Sequence, residues 1–381
     1  MDFNWSSTEK ELLSKLTQEV ESSINLLIAD RKDNGLVTAK EWSALGETGL
    51  LGLSAPKEFG GQGLGATNTA MLYEAFGSTC HDMGLVFAAG AHLFACVMAI
   101  AEFGGEDLKK RFLPAMTAGD LAGANAASED NAGSDLFSME TLFERQGGHY
   151  LLNGEKSYVA NAPNADVMVV YAGKKTAPGF FGTSAFLVER ETPGMTIEEP
   201  FEMIGLHSIQ ACKVSLENCK VPAGHLLGSE GQGGIIFNQA MQWERLGLYA
   251  GYVGAMQKDL NATIRQARQR KQFGKKISSQ QAVSHKIVDM KIRLESARLL
   301  LYKACCTFDE GKNALLETSL AKIAISEAAV KSAIDSMSIF AGTGYKKESG
   351  VSGSLNNALA TLSASGTPDM LREIAAAEMR L

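Results

Sequence analysis

The stretch Phe237-Asn-Gln-Ala-Met-Gln-Trp-Glu-Arg-Leu-Gly-Leu248 indicates a helix with a single carboxylate on its apolar side. Steps of three and four residues from Phe237 pass through Met241 and Glu244, and the other positions on that line are apolar or small. Burying an unpaired carboxylate is costly, and enzymes obtain a general base by holding a carboxylate in an apolar cleft. Glu244 is therefore either a catalytic base or one half of a structural ion pair with Arg245.

The helical pattern around Glu244 belongs to the last of three parts of the chain. Helices are predicted over roughly 234 to 270, 279 to 309 and 313 to 340, followed by a short one that Thr367 can cap. Residues 7 to about 120 also show helical spacing. Between these regions short extended runs alternate with Gly and Pro, and Asn153-Gly154 predicts a tight hairpin. The sequence therefore predicts an α+β protein with domains at 1–120 (helical), 121–230 (β) and 231–381 (helical).

Composition excludes several classes of function. With 381 residues, 45% of them hydrophobic, and a net charge of -7, the chain has no general attraction to nucleic acid or to anionic membranes. No apolar run is expected to approach the roughly 18 residues of a membrane span, and no signal peptide is evident, so a cytoplasmic location is expected. Six cysteines and six histidines lack metal-ligand spacing, so no metal site is predicted. We interpret His92 as a hydrogen-bonded helix residue.

Two polar segments are candidates for binding. The loop Ser128-Glu-Asp-Asn-Ala-Gly-Ser-Asp135 has the small residues and hydroxyl groups that suit a close approach to a cofactor. The segment Arg265–Lys276 places six basic residues in twelve and breaks at Phe273-Gly274. It is a solvated helix end, a phosphate site at Arg270, or, together with Lys109–Arg111, a docking surface for an acidic partner.

Several motifs, in order along the whole chain, resemble those of the acyl-CoA dehydrogenase family. They are the Ser128–Asp135 loop, Arg270-Lys-Gln-Phe-Gly-Lys275 with Gln281, Ile339-Phe-Ala-Gly-Thr-Gly-Tyr345, and Gly366-Thr367 before the last helix. The resemblance implies the acyl-CoA dehydrogenase fold, with an N-terminal helical domain, a central β-barrel or sandwich and a C-terminal four-helix bundle. It also implies an FAD enzyme that is usually a homotetramer.

The resemblance also implies roles for individual residues. Ser128 and Ser134 would line the flavin and substrate cleft, and Tyr158 takes the place of an aromatic residue that stacks on the isoalloxazine ring. Ala160 stands where the family often has a threonine near flavin N5. Cofactor contacts are thus expected from Ser128, Ser134, Tyr158, Ala160 and Thr367, and from Arg270, Phe273, Gln281, Gly342 and Gly344 toward a neighbouring subunit.

The same resemblance favours Glu244 as the catalytic base. The family usually has a base just before the Gly-Thr of the last helix, and that position is Ser365 here, which cannot act as a base at neutral pH. A minority branch, typified by isovaleryl-CoA dehydrogenase, carries the base in a Glu-Arg-Leu sequence, as in Trp243-Glu-Arg-Leu246. By resemblance, Glu244 takes the α-proton, a hydride passes to flavin N5, and the Ser365 amide with a ribityl hydroxyl holds the thioester oxygen.

Finer similarity points to prolyl-carrier-protein dehydrogenases, through segments such as Met83–Ala89, Gln281–His285 and Leu294–Leu301. The implied reaction is oxidation of proline, held as a thioester on a phosphopantetheinyl carrier protein, to a pyrroline or pyrrole carboxyl thioester. Asn356-Asn357 departs from the usual Arg-Asp. The alternatives are an isovaleryl or short branched-chain acyl-CoA dehydrogenase, a flavin oxidase or monooxygenase, and a flavin-free scaffold homologue.

Overall fold

The computed structural model describes residues 5–31 and 35–381, and its first part is helical. The helices are α1 (Ser7–Glu19), α2 (Asn25–Asp30), α3 (Ala39–Glu47), α4 (Ala66–Thr79), α5 (Met83–His92), α6 (Met98–Phe103) and α7 (Glu106–Ala118). Single π-helical turns join α1 to α2 and α5 to α6. Ser6 and Thr38 begin α1 and α3 with capping boxes, in which the cap and a glutamate three residues later exchange hydrogen bonds.

The middle of the chain forms one mixed sheet of eight strands. They are β1 (Gly123–Ala126), β2 (Leu142–Gln146), β3 (His149–Ala160), β4 (Val167–Lys174), β5 (Thr183–Glu189), β6 (Met195–Ile197), β7 (Ala211–Pro222) and β8 (Leu226–Leu227). Their spatial order is β6-β7-β3-β2-β4-β5-β8, with β1 parallel to β4. Alternate residues of β4 face opposite ways: Met168 and Val170 enter the sheet's own core, whereas Val169 and Tyr171 join the helical core.

The third part is built around α8 (Gly233–Gln269), a helix of 37 residues. Two glycines let it approach its neighbours closely: a Cβ at Gly254 would lie 2.0 Å from the Glu74 carbonyl oxygen, and one at Gly247 would lie 2.1 Å from the Phe94 ring. The remaining elements are the hairpin β9 (Lys271–Gln272) and β10 (Lys275–Lys276), and the helices α9 (Gln281–Asp309), α10 (Leu315–Phe340), α11 (Val351–Leu359) and α12 (Pro368–Glu378). The predicted order of helical, β and helical regions is confirmed.

The predicted hairpin at Asn153-Gly154 is wrong. Both residues lie inside β3, where Gly154 has φ +144° and the pairing with β7 shifts register. The Asn153 side chain instead accepts a hydrogen bond from the Asn218 backbone N–H at 2.7 Å. The turn that joins β2 to β3 is Gly147-Gly148, since Gln146 pairs with His149. A glycine that permits positive φ serves a bulge as well as a turn, so the dipeptide alone does not distinguish them.

The expectation that no apolar run is long enough to span a membrane is also wrong. Met83–Phe103, which comprises α5, the π-helical turn and α6, has the length of 21 residues and the composition of a span. In the structure 94% of its most apolar window is buried inside the protein. It packs against α8 and β1, so its apolar surface is covered by protein on all sides.

Candidate functional site

Glu244 lies in the buried middle of α8, with only 8% of its surface exposed. Its carboxylate accepts a hydrogen bond from the Ser365 hydroxyl, so the first long helix and the turn before α12 meet here. Within residues 5–31 and 35–381, no cation lies within ion-pairing distance of Glu244. Arg245 points elsewhere: its Nε donates to the Ser365 carbonyl oxygen at 3.1 Å. The ion-pair interpretation of Glu244 is therefore wrong, and a serine hydroxyl is its hydrogen-bond partner.

The turn that carries Ser365 is held through its carbonyl oxygens by side chains of α8 and α10. The Tyr249 hydroxyl donates to the Ala364 carbonyl at 2.8 Å. The Lys322 ammonium group, which is fully buried, donates to the carbonyls of Thr361 at 2.7 Å and Gly366 at 2.5 Å. Both Ser365 and Gly366 have positive φ, 56° and 92°, a conformation that L residues rarely adopt. These bonds therefore hold a strained turn in one position against Glu244.

The charges around Glu244 are unbalanced. Burial raises the pKa of Glu244, while the Ser365 hydrogen bond and the charges of Arg245 and Lys322 act in the opposite direction. Burial also lowers the pKa of Lys322 to about 7 and that of Arg245 to about 10. The proton affinity of Glu244 is thus increased, with the positive charge of Arg245 nearby and a Lys322 side chain that is only partly charged at neutral pH. Such a site can accept a proton and stabilise negative charge that develops on a neighbouring oxygen.

Thr367 follows this turn and begins α12 as predicted. Its hydroxyl accepts a hydrogen bond from the Met370 N–H at 3.2 Å, and Pro368 occupies the first helical position. The cap fixes the direction in which the chain leaves the turn. Ser365 and Thr367 are therefore placed by the same short segment, although the cofactor contact expected of Thr367 stays a prediction.

A buried ion pair anchors the polar loop at 128–135. Lys156 of β3 donates to Glu129 at 2.8 Å and to the Ala127 carbonyl at 3.0 Å. Glu129 also accepts the backbone N–H groups of Glu140 and Thr141. Ser128 is half-buried where β1 ends, whereas Ser134 is exposed at the far side of the loop. The loop thus presents backbone and hydroxyl groups from a rigid base.

Tyr158 and Ala160 lie at the end of β3. Tyr158 has φ 57° and is 61% exposed, and its ring lies 5.2 Å from that of Phe201 at an angle of 30°. Ala160 is half-buried beside Asn161, whose amide donates to the Ala88 carbonyl of α5 at 2.8 Å. Asn161 therefore joins the end of β3 to the helical domain. An exposed aromatic ring beside hydroxyl groups suits a flat ligand.

The other predicted cofactor residues lie at the opposite end of α8. Arg270 is 26 residues after Glu244, which corresponds to about 39 Å along a helix. Phe273 sits at the tip of the β9–β10 hairpin, 92% exposed, with φ 51°. Gln281 and Gly342 are also exposed, while Gly344 is buried after α10. The structure therefore does not bring this group together with Glu244 inside one chain.

The basic residues proposed for docking differ in whether they form ion pairs within the chain. Arg111 pairs with Glu189 at 2.6 Å and lies over the Phe112 ring, and Lys109 approaches Glu106 at 3.6 Å. In contrast, Arg270 and the three lysines of the hairpin strands, Lys271, Lys275 and Lys276, are exposed and form no ion pair with any described residue. Within these two segments, unpaired charge is therefore concentrated at the hairpin.

Sequence reasoning missed the residues that support the site. Lys322, Glu129 and Lys156 were not singled out, and Tyr249 was not connected to the turn at 361–366. The sequence did contain a signal for Lys322. Leu320-Ala-Lys-Ile-Ala-Ile325 places one charged residue in an apolar helical run, which is the same kind of pattern that drew attention to Glu244. His92 agrees with its interpretation: its ring accepts from the Gly123 N–H at 2.8 Å and contacts the Met116 carbonyl, and burial lowers its pKa to about 4.

Family models match three consecutive parts of the chain. Residues 6–120 match the acyl-CoA dehydrogenase N-terminal domain, residues 124–219 the middle domain and residues 231–380 the C-terminal domain. These domain models correspond in order to the helical, β and helical regions of the structure. The predicted fold class is confirmed.

Individual relatives are similar over the full length. An L-prolyl-(peptidyl-carrier protein) dehydrogenase from Pseudomonas fluorescens is 44% identical over 382 residues, covering 100% of both chains. Among solved structures, PigA with FAD and proline gives a TM-score of 0.97 at 36% identity and covers 100% of both chains. The prolyl acyl carrier protein oxidase AnaB gives a TM-score of 0.95 at 36% identity, covering 99% of this chain and 100% of the other.

Proposed function

Because this chain belongs to the acyl-CoA dehydrogenase family, we propose that it is an FAD enzyme that oxidises a prolyl thioester on a phosphopantetheinylated carrier protein. The observation that carries the proposal is the contact between Glu244 and Ser365. The turn before α12 offers a hydroxyl instead of a carboxylate, and the buried carboxylate stands opposite it on α8. Full-length similarity to a prolyl-carrier dehydrogenase supports this substrate over a branched-chain acyl-CoA.

In the proposed mechanism Glu244 removes the α-proton of the thioester. Its proton affinity is increased by burial, which brings it closer to that of a general base at neutral pH. The Ser365 backbone N–H donates to no acceptor in the described parts of the chain, so it is free to hold the thioester oxygen. Arg245 and Lys322 keep the turn in place, and Arg245 contributes positive charge beside the forming enolate.

The exposed groups at the end of the sheet fit FAD. Tyr158 offers a flat aromatic ring, and Ser128, whose carbonyl accepts the N–H of the adjacent Ser157 at 2.8 Å, offers a hydroxyl group in the same region. Ser134 offers a second, exposed hydroxyl group on the same loop. Bound there, FAD supplies the acceptor for the two electrons that leave the substrate. Ala160 offers no hydroxyl, so at this position only the backbone can hydrogen bond to the ring. Thr367, next to the Ser365 turn, is proposed to contact the same cofactor.

We propose that a neighbouring subunit completes the cofactor site. Arg270, Phe273 and Gln281 are too far along α8 and α9 to reach Glu244 in their own chain. An oligomer would bring them, with Gly342 and Gly344, to the FAD of another subunit. The exposed apolar side chains Val288, Ile292 and Leu299 support this assembly, because they form one stripe on α9 at helical spacing. We propose a homotetramer, as the family resemblance implies.

A cytoplasmic location is proposed from the cysteines. All six are free, and five of them are buried. Free thiols without disulfides are typical of a reducing compartment. The carrier-protein substrate is expected to be present in the same compartment.

Replacing Glu244 with glutamine tests the proposal. Glutamine still accepts the Ser365 hydrogen bond but cannot take a proton, so we expect the bound flavin spectrum to be unchanged. Bleaching of the flavin by prolyl-carrier substrate should slow by at least about 100-fold. Asp259→Asn is a matched control, since Asp259 is also on α8, bonds to the Ser354 hydroxyl at 3.0 Å and has its pKa raised to about 6 by burial. Normal bleaching in the Glu244→Gln variant would refute the proposal.

The choice of substrate needs a separate comparison. Wild-type enzyme is mixed with prolyl-carrier protein or with isovaleryl-CoA, and flavin bleaching is followed in each case. Faster reduction by the prolyl carrier is expected. Faster reduction by isovaleryl-CoA would instead identify a branched-chain acyl-CoA dehydrogenase that uses the same Glu244.

A further inference from the structure

Three cations surround one carboxylate just before α8 begins. Glu230 lies 2.9 Å from the Lys174 ammonium group and 3.8 Å from the Arg145 guanidinium group. Lys175, next to Lys174, adds a third positive charge and forms no ion pair within the described parts of the chain. All three cations are exposed. On a chain with a net charge of -7, this local excess of positive charge suits an acidic partner.

Exposed apolar side chains lie beside these charges. Phe181 is 82% exposed, and Ile235, in the first turn of α8, is 48% exposed. Close packing joins their two segments: a Cβ at Gly231 would lie 2.6 Å from the Phe181 carbonyl oxygen, and one at Gly234 would lie 2.5 Å from the Phe180 ring. Large apolar groups within a charged rim are typical of a surface that binds another protein.

The cations and the apolar side chains together form one surface, which we call the α8 entry surface. Its members are Arg145, Lys174, Lys175, Phe181 and Ile235.

A row of aromatic rings leads from the α8 entry surface toward Glu244. The ring centres of Phe181 and Phe180 are 5.1 Å apart, and those of Phe180 and Phe137 are 5.0 Å apart. Phe137 in turn lies 6.4 Å from Phe237, which is two turns before Glu244 on the same side of α8. The three inner rings are only half-buried, so this row stays partly open to solvent. A slender substrate arm has an apolar wall to follow from the surface toward the base.

The α8 entry surface is also closer to the base than the basic hairpin is. Ile235 precedes Glu244 by nine residues, which corresponds to about 14 Å along the helix, whereas Arg270 lies about 39 Å away in the same chain. A carrier protein stays outside the enzyme and delivers its thioester on a flexible phosphopantetheine arm. The point at which the carrier docks must therefore lie within reach of that arm from Glu244.

Resting on the function proposed above, we propose that the α8 entry surface docks the carrier protein. Acidic residues of the carrier pair with Arg145, Lys174 and Lys175, and an apolar part of its surface covers Phe181 and Ile235. The arm then runs along the aromatic row and places the prolyl thioester beside Glu244. The basic hairpin is left for the neighbouring subunit.

The test compares prolyl-carrier protein with prolyl-pantetheine thioester, which has the arm but no protein. With the carrier, Lys175→Glu and Phe181→Ala should each lower kcat/KM for flavin reduction by about 10-fold, through KM and with kcat unchanged. Both variants should keep the wild-type value with prolyl-pantetheine. Lys10→Glu is the matched control, since it makes the same charge change at an exposed lysine of α1 and should alter neither value. Added salt should weaken only the carrier reaction, and less so in Lys175→Glu.

The possible failures are distinguishable. A lower kcat, or equal losses with both thioesters, would show that the side chains support the cleft, and would overturn the inference. Wild-type values with the carrier in both variants would also overturn it while leaving the proposed function intact. A loss seen only with isovaleryl-CoA would assign the cations to a nucleotide phosphate and likewise overturn it. A wild-type enzyme that neither prolyl thioester reduces would refute the proposed function itself.

Discussion

Replacing Ser365 with alanine should make the reaction more sensitive to acid. The Ser365 hydroxyl donates to the Glu244 carboxylate in a buried site, and this bond favours the ionised form that can act as a base. Alanine removes the donor without changing the demands on the backbone, because φ 56° is unfavourable for serine and alanine alike. The pKa of Glu244, which burial already raises, should therefore rise further in the variant.

The size of the effect follows from the bond that is lost. A hydrogen bond to a charged group contributes about 1.5–3 kcal/mol, which changes the ratio of protonated to ionised carboxylate by about 10- to 150-fold. The acid limb of the rate profile should therefore move upward by about 1 to 2 pH units. Flavin bleaching by prolyl-carrier substrate, measured by stopped flow at a series of pH values, gives this profile directly. Well above the new midpoint the rate should match that of the wild type.

Ser363→Ala is the matched control for this experiment. Ser363 lies in the same turn, is exposed, and donates only to the Ala360 carbonyl at 3.3 Å. Its removal should leave the profile unchanged. If the Ser365→Ala and wild-type profiles coincide, the hydroxyl does not influence the proton affinity of the base, and the reasoning from burial and hydrogen bonding is refuted.

Two further predictions concern stability and assembly. Burial lowers the pKa of Lys322 to about 7. Between about pH 7 and 10 the unfolded chain therefore binds a proton at this lysine that the folded protein does not bind. The free energy of unfolding should accordingly rise by up to about 1.4 kcal/mol per pH unit from this group. Lys322→Met should lose stability relative to wild type as pH rises from 7.5 to 9.5 in urea unfolding, and a constant difference would contradict this. Ile292→Glu on the exposed stripe of α9 should shift the oligomer to smaller species in light scattering and weaken FAD retention, whereas exposed Leu26→Glu on α2 should do neither; an unchanged mass would contradict the proposed assembly.

The parts of the fold that the sequence predicted are those that depend on local signals. The start of α12 is an example, because Thr367 and Pro368 define it within a few residues. The length of α8 was predictable as well, since its apolar spacing persists for ten turns without proline. The family resemblance extended the prediction from single elements to the whole fold, because the motifs occur in the order in which that family carries them.

The errors arise where a residue's role depends on distant parts of the chain. Asn153-Gly154 is a hairpin signal in isolation, but in the structure β7 pairs with this segment and turns it into a bulge. The run Met83–Phe103 has the composition of a membrane span, and only packing against α8 and the sheet shows that protein covers it. The cations around Glu230 come together only once β2, β4 and the start of α8 are placed side by side.

The arrangement at Glu244 also explains why the turn before α12 carries a serine. A carboxylate at position 365 would face Glu244 at hydrogen-bonding distance in a buried site, and two like charges there would force one of them to hold a proton. Serine avoids this conflict and adds a donor that favours the ionised form of Glu244. Arg245 and Lys322 donate hydrogen bonds to carbonyl oxygens of the turn and not to its side chains. The same bonds would therefore hold the turn whether its residue 365 were a serine or a carboxylate.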